Sequence, residues 1–166
     1  VSVPTSALMN NEGAAWSSLY KVISLAKIAV AAEQMGGAQE ILDRTVAFMQ
    51  ERVQFGRSIA SFQAIKHKAA DMMLKCEVSR SAVYYAACVA QEALQVDGDK
   101  TLAAELHEAA AMAKGYCSDT FFFNAGSAIQ LYGGVGFTWE YDVHLYFKRA
   151  KNTELFLGNS AYQREL

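Results

Sequence analysis

The sequence predicts an all-α fold: an antiparallel up-and-down bundle of three long helices followed by short C-terminal helices. Three observations point to it. Apolar residues recur at spacings of three and four over long stretches, a single proline occurs in 166 residues, and no stretch shows the alternation of a half-buried strand. Hydrophobic residues make up 52% of the chain and charged residues 19%, a balance that suits a packed domain and excludes disorder. A domain near this length buries about 70% of the surface its unfolded chain exposes, so one core suffices.

Residues 1–11 read as an irregular lead-in, and the helical domain is expected over 12–166. Trp16, Leu19, Ile23, Ala26 and Val30 mark the apolar face of a first helix that runs to about Arg52. Gly36 and Gly37 lie inside it, where each costs about 1 kcal/mol relative to alanine, so a close helix contact, or else the approach of a ligand, is the expected reason for them. From Phe62 a second stripe, Ile65, Ala69, Met72, Cys76, Val83, Ala90 and Leu94, leaves Lys66, Lys68, Glu77 and Arg80 on the outer faces. Asp97, Gly98 and Asp99 break the pattern, and Asp99 is placed to cap a third helix carrying Leu102, Leu106, Ala113, Tyr116 and Phe123 toward Leu131. Gly133 and Gly134 end that helix in a conformation glycine tolerates. Glu140 to Lys151 reads as a shorter helix, and a last segment follows around Gly158.

Composition also narrows function. Fifteen Lys and Arg against seventeen Asp and Glu give a net charge of -2, which offers no broad basic surface for nucleic acid. Cys76, Cys88 and Cys117 are odd in number and sit inside helical patterns, so they read as buried reduced thiols of a cytoplasmic protein. The uncharged run from Thr120 to Trp139 contains Asn124, Gln130 and several glycines and is not read as a membrane span. His67, His107 and His144 share no metal-ligand spacing with one another or with the cysteines. Lys148, Arg149 and Lys151 are expected at the C-terminal end of a helix, where cations interact favourably with the dipole. The chain begins at Val1 without a methionine, which points to a piece of a longer protein.

FGRSIASFQ, residues 55–63, interrupts the helical pattern as either a plain connection or a binding loop. There Arg52, Phe55 and Arg57 set guanidinium groups beside an aromatic ring, a combination that can pair with phosphate and cover a planar group.

Taken together, ERVQFGRSIASFQAIKHKAADM (51–72), AIQLYGGVGFTWEYDVHLYFKRAK (128–151) and LFLGNSAYQREL (155–166) resemble the C-terminal helical domain of the acyl-CoA dehydrogenase family. The resemblance covers about residues 12–166 in order and spacing. It implies a subunit whose N-terminal helical and middle β domains are absent from this sequence. It also implies an oligomer core, in a homo- or hetero-tetramer with a homologous subunit, that holds the adenosine diphosphate part of an FAD carried mainly by a neighbour.

Carried over by position, Arg52 would meet the pyrophosphate and Phe55 would lie by the adenine. Gln130, Gly133 and Gly134 would approach the FAD phosphates and ribose. The family's reaction on an acyl-CoA substrate needs a carboxylate base, which usually stands immediately before Gly-Thr-Ser. This sequence has Leu157 before Gly158, Asn159 and Ser160. The alternative base position on the first long helix holds Ala26, before Lys27. Neither Glu154 nor Glu33 replaces it by spacing, and the family's Arg-Asp-Ala stands here as Lys148, Arg149 and Ala150. The resemblance therefore implies a subunit that keeps the FAD contacts and lacks the base, like the non-catalytic chains of heterotetrameric dehydrogenases of steroid side-chain breakdown. Two further readings stand beside it: an active homo-oligomer with a displaced base, and a structural oligomerisation module with no redox role.

Overall fold

The computed structural model describes residues 2–7 and 15–166; the expected domain start at residue 12 and part of the lead-in lie outside them. A short 3-10 turn spans Thr5–Ala7. The long helices are α1 (Ala15–Glu51), α2 (Gln63–Leu94) and α4 (Leu106–Tyr132), with α3 (Lys100–Ala104) set just ahead of α4. Two shorter helices, α5 (Val143–Leu155) and α6 (Ser160–Arg164), close the chain.

Cross-helix hydrogen bonds give the directions. Lys21 reaches the Ala93 carbonyl and Arg80 reaches Gln39, so sequence number rises along α1 as it falls along α2. Ser79 pairs with Thr120, and Asn124 with the Met72 carbonyl, which sets α4 antiparallel to α2 as well. The bundle is thus the predicted up-and-down one. Residues of α1, α2 and α4 form one core cluster around Ile28, Val89 and Ala110, and a second around Leu42, Met72 and Phe121.

Helix α4 is the central rod. Seventeen of its 27 residues are buried, far more than one apolar stripe provides. Its small residues admit close neighbours, and its polar ones find partners across the bundle: Ser118 with Gln34, Thr120 with Ser79, Asn124 with the Ala38 carbonyl. Each such pairing avoids the ~1–3 kcal/mol that a buried unsatisfied polar group costs. Gly37 of α1 is the close contact expected from sequence, since a Cβ there would stand 2.6 Å from Phe121 Cζ. Gly36 is different: an added Cβ would meet nothing within 4 Å.

Several elements depart from the sequence reading. Trp16 and Leu19, the start of the expected α1 stripe, are 65% and 49% exposed, and the buried positions are offset to Ser24, Lys27, Ile28 and Ala31. Leu94 and Phe123 are likewise exposed. Cys76 and Cys117 are buried free thiols, whereas Cys88 is exposed, because the α2 face at that turn is turned away from the core. Helix α5 begins at Val143 and runs to Leu155, so Lys148 and Arg149 sit in mid-helix and no basic residue occupies the last turn. The dipole role expected for them is replaced by specific contacts, Arg149 with Glu33 at 2.6 Å and Lys148 over the Trp139 ring. Asp99 caps the short α3, accepting from the Thr101 and Leu102 amides at 2.8 and 3.2 Å, but the single third helix expected from Asp99 to Leu131 is broken at Glu105, where α4 has its own start. Over Ala15–Glu51, α1 meets the length and hydropathy of a membrane span, a property that core helices of bundles share.

Candidate functional site

The break after α1 is a two-stranded antiparallel hairpin, β1 (Val53–Gln54) and β2 (Arg57–Ser58), a strand pair that the helical periodicity did not predict. Phe55 and Gly56 form its tip with φ of 55° and 76°, the two successive positive values of the tight turn that matches strand twist. Glycine suits this geometry, and a phenylalanine there is costly. Phe55 is 91% exposed, with its ring edge-on to that of Phe62 at 6.1 Å between centroids. A 3-10 turn over Ile59–Ser61, with Ser58 accepting from the Ala60 amide, then leads into α2.

This hairpin stands beside the end of α4. Gly133 terminates α4 at φ 66° and ψ -143°, and a 3-10 turn continues over Gly133–Phe137. Arg52, Phe55, Phe62, Tyr132, Gly133 and Gly134 line one open groove of about 570 Å³. Four of the five residues expected to contact a cofactor are therefore brought together from segments eighty residues apart in order. The fifth, Gln130, is exposed on the last turn of α4 and lies outside the lining. The Arg52 guanidinium is exposed and has no ion-pair partner among the described residues, whereas Arg57 lies over the Phe62 ring at 4.1 Å. A Cβ added at Gly133 or Gly134 would meet nothing within 4 Å, while one at Gly136 would press on the Ile129 carbonyl at 3.1 Å. The first two glycines thus leave bare backbone facing open space, and the third is needed for packing.

Neither residue at the two expected base positions lines that groove. Leu157 is half-buried between α5 and α6, at φ 61°, and Gly158 follows at φ 95°. Gln163 Nε2 donates to the Leu157 carbonyl at 2.7 Å, and Lys27, the neighbour of Ala26 on α1, lies 5.9 Å over the Tyr162 ring of α6. Glu154 pairs with Lys151 at 2.9 Å, and Glu33 pairs with Arg149 on the rim of a separate cavity of about 430 Å³. Among the described residues no cluster of three or more His, Cys, Asp and Glu could hold a metal.

The burial of two lysines was not foreseen from the sequence. Lys27 is 3% exposed and Lys114 fully buried, and desolvation pushes both amines down, Lys114 to about 8. Lys114 donates to Ser118 Oγ at 2.8 Å and to the carbonyls of Glu154 and Gly158 at 3.3 and 3.1 Å. The signal was present: Lys114 is the only charge between Glu108 and Asp119 in an alanine-rich run.

Residues 13–166 match a family profile described as the acyl-CoA dehydrogenase C-terminal domain. The acyl-CoA dehydrogenase IpdE2 of Mycolicibacterium smegmatis is 38% identical over 133 residues, covering 80% of this chain and 38% of that protein. The butyryl-CoA dehydrogenase of Megasphaera elsdenii superposes with a TM-score of 0.86 at 32% identity, over 98% of this chain and 40% of that one. The ChsE4-ChsE5 complex of Mycobacterium tuberculosis gives a TM-score of 0.72 at 28% identity, over 86% of this chain and 36% of that chain. The chain thus spans about two fifths of the length of these relatives. In sequence and in fold, it belongs to the acyl-CoA dehydrogenase family and corresponds to its C-terminal helical domain.

Proposed function

We propose that this domain serves an FAD-dependent acyl-CoA dehydrogenase of the cytoplasm as the subunit that completes the flavin site without supplying the base. The observation that carries the reading is the pairing of a groove prepared for an anion with a base position occupied by Leu157. In the groove, Arg52 presents an exposed guanidinium with no ion-pair partner among the described residues, Phe55 an exposed side chain, and Gly133 and Gly134 open backbone. Those features fit the adenosine diphosphate part of FAD: a guanidinium and backbone amides suit phosphate oxygens, and the ring can cover a planar base. Gln130 would reach the same ligand from outside the groove. When bound, the flavin supplies the hydride acceptor.

This chain's own residues would bind and orient the cofactor and exclude water around it. Removal of the proton next to the thioester of the acyl-CoA needs a carboxylate, and neither Leu157 nor Ala26 can accept a proton. Glu33 and Glu154, the nearest substitutes in sequence, are engaged by Arg149 and Lys151, which favours a mixed oligomer over a homo-oligomer with a displaced base. The base would then come from a homologous partner subunit, and the ChsE4-ChsE5 complex is a relative that assembles from two differently named chains.

Leu157→Glu in the full-length protein tests the missing-base reading. The unmodified homo-oligomer should lack acyl-CoA oxidation, and the variant should gain it. Normal turnover by the unmodified homo-oligomer contradicts the reading. Arg52→Ala separates a redox role from a purely structural module: flavin content in the complete complex should fall, and unchanged content would favour the structural module.

A further inference from the structure

We infer that Lys114 is the positioning residue for the segment joining α5 to α6, fixing from α4 the direction in which the side chain at 157 projects. This deepens the base-position reading above and rests on it for the functional meaning of position 157. Its structural content stands on the hydrogen bonds and the burial of the Lys114 amine and involves no flavin.

An ammonium has three donors and no acceptor, and Lys114 has three oxygens to meet: Ser118 Oγ at 2.8 Å, the Glu154 carbonyl at 3.3 Å and the Gly158 carbonyl at 3.1 Å. The two carbonyls bracket Leu157. That of Glu154 belongs to the last turn of α5, where helix carbonyls lack intrahelical partners. Lys114 therefore caps α5 from a neighbouring helix while tying down the far side of the loop. Between these two anchors the backbone takes positive φ at Leu157 and Gly158 in succession. Leucine adopts that conformation at a cost of ~1–3 kcal/mol and holds it only where its surroundings over-determine it. Gln163 adds a restraint, donating to the Leu157 and Gly158 carbonyls at 2.7 and 3.3 Å, and the Gly158 amide donates to the Leu155 carbonyl at 3.2 Å.

The lysine is an expensive choice for filling space. It is fully buried, and its head meets no carboxylate, because Glu154 turns its own to Lys151 and Asp119 pairs with Arg164. The charged and titratable groups facing it are Lys27 from α1, Cys117 and Asp119 from α4, and Glu154 from α5, with Tyr162 of α6 beneath Lys27. Burial outweighs their sum and lowers the amine to about 8. An opened loop would return it toward its ordinary value, so the open form binds one more proton between the two values. Raising pH through that window therefore favours the closed loop.

The test is hydrogen exchange, read by mass spectrometry, of the peptide spanning 155–160 in the full-length protein in its native assembly. Lys114→Met keeps length and removes all three donors. Loop exchange should rise at least about tenfold while the global unfolding midpoint falls little, since a buried charge leaves with the bonds. In the unmodified protein, loop protection corrected for intrinsic exchange should rise by up to about tenfold per pH unit above about 8, and Lys114→Met should abolish that slope. Unchanged loop exchange in the variant overturns the proposal. A flat profile in the unmodified protein also overturns it and remains readable if the variant fails to fold. Neither readout depends on flavin or turnover, so failure here leaves the Leu157 reading intact, and failure of that reading leaves this one intact.

Discussion

Replacing Gly134 by alanine distinguishes a glycine kept for folding from one kept for a ligand. An added Cβ meets nothing within 4 Å there, and the residue is not among the glycines with positive φ. The fold alone should welcome the change, because Gly→Ala at a compatible position stabilises by about 0.4–1 kcal/mol through the unfolded chain. Gly133 is the contrasting control: at φ 66° and ψ -143° an alanine is strained, at a cost of about 1–3 kcal/mol. If cofactor phosphates approach this backbone, the new methyl of Gly134→Ala stands between them and a donor. Losing one hydrogen bond to a charged group costs about 1.5–3 kcal/mol, which is about a ten- to hundredfold weaker dissociation constant. The assay is thermal unfolding together with FAD titration of the complete complex. Gly134→Ala should melt no lower than the unmodified protein yet release flavin at least tenfold more readily. Unchanged flavin affinity with unchanged stability would refute the reasoning that the bare backbone serves a ligand.

Two further outcomes follow from the core. Lys114 has a folded pKa of about 8 against an ordinary 10.5, so at this site the unfolded chain binds more protons between those values and the lysine's own contribution to stability rises with pH, by at most about 3 kcal/mol; the buried Cys76 and Cys117 thiols, which burial pushes up, oppose it above about pH 9. Urea unfolding of the native assembly and of Lys114→Met from pH 7 to 10 isolates the lysine: the stability difference should move in favour of the unmodified protein as pH rises, and a difference that moves the other way would contradict the sign. Gly37→Ala gains about 1 kcal/mol of helix propensity but sets a methyl 2.6 Å from Phe121 Cζ, so it should destabilise on balance, and Phe121→Leu should recover part of the loss in a double-mutant cycle. Additive effects would show that the two residues do not touch.

The bundle was legible because helical periodicity, the Asp99 cap and the Gly133 stop are local signals. The misplaced elements share a physical cause: periodicity ranks residues by apolarity, while burial is decided by neighbours. Trp16 and Leu19 are apolar on a turn of α1 that no described element covers, so the stripe was read one face away from Lys27 and Ile28. Lysines are assigned to solvent by rule, and Lys27 and Lys114 break it because their alkyl stems fill the bundle while their heads find the α6 ring or loop carbonyls. Arg149 lost its dipole role because α5 runs past it to Leu155. The residues that line the groove were marked by the family resemblance, which singled out Arg52, Phe55, Gly133 and Gly134 but could not show that the hairpin tip carries Phe55 outward.

The most direct measurement is bound FAD per chain in the full-length protein, purified alone and then co-expressed with its nearest homologous subunit. About one flavin per two chains, found only in the mixed complex, is the result expected of a subunit that completes a flavin site and lacks the base. One flavin per chain in a homo-oligomer that oxidises acyl-CoA would contradict it.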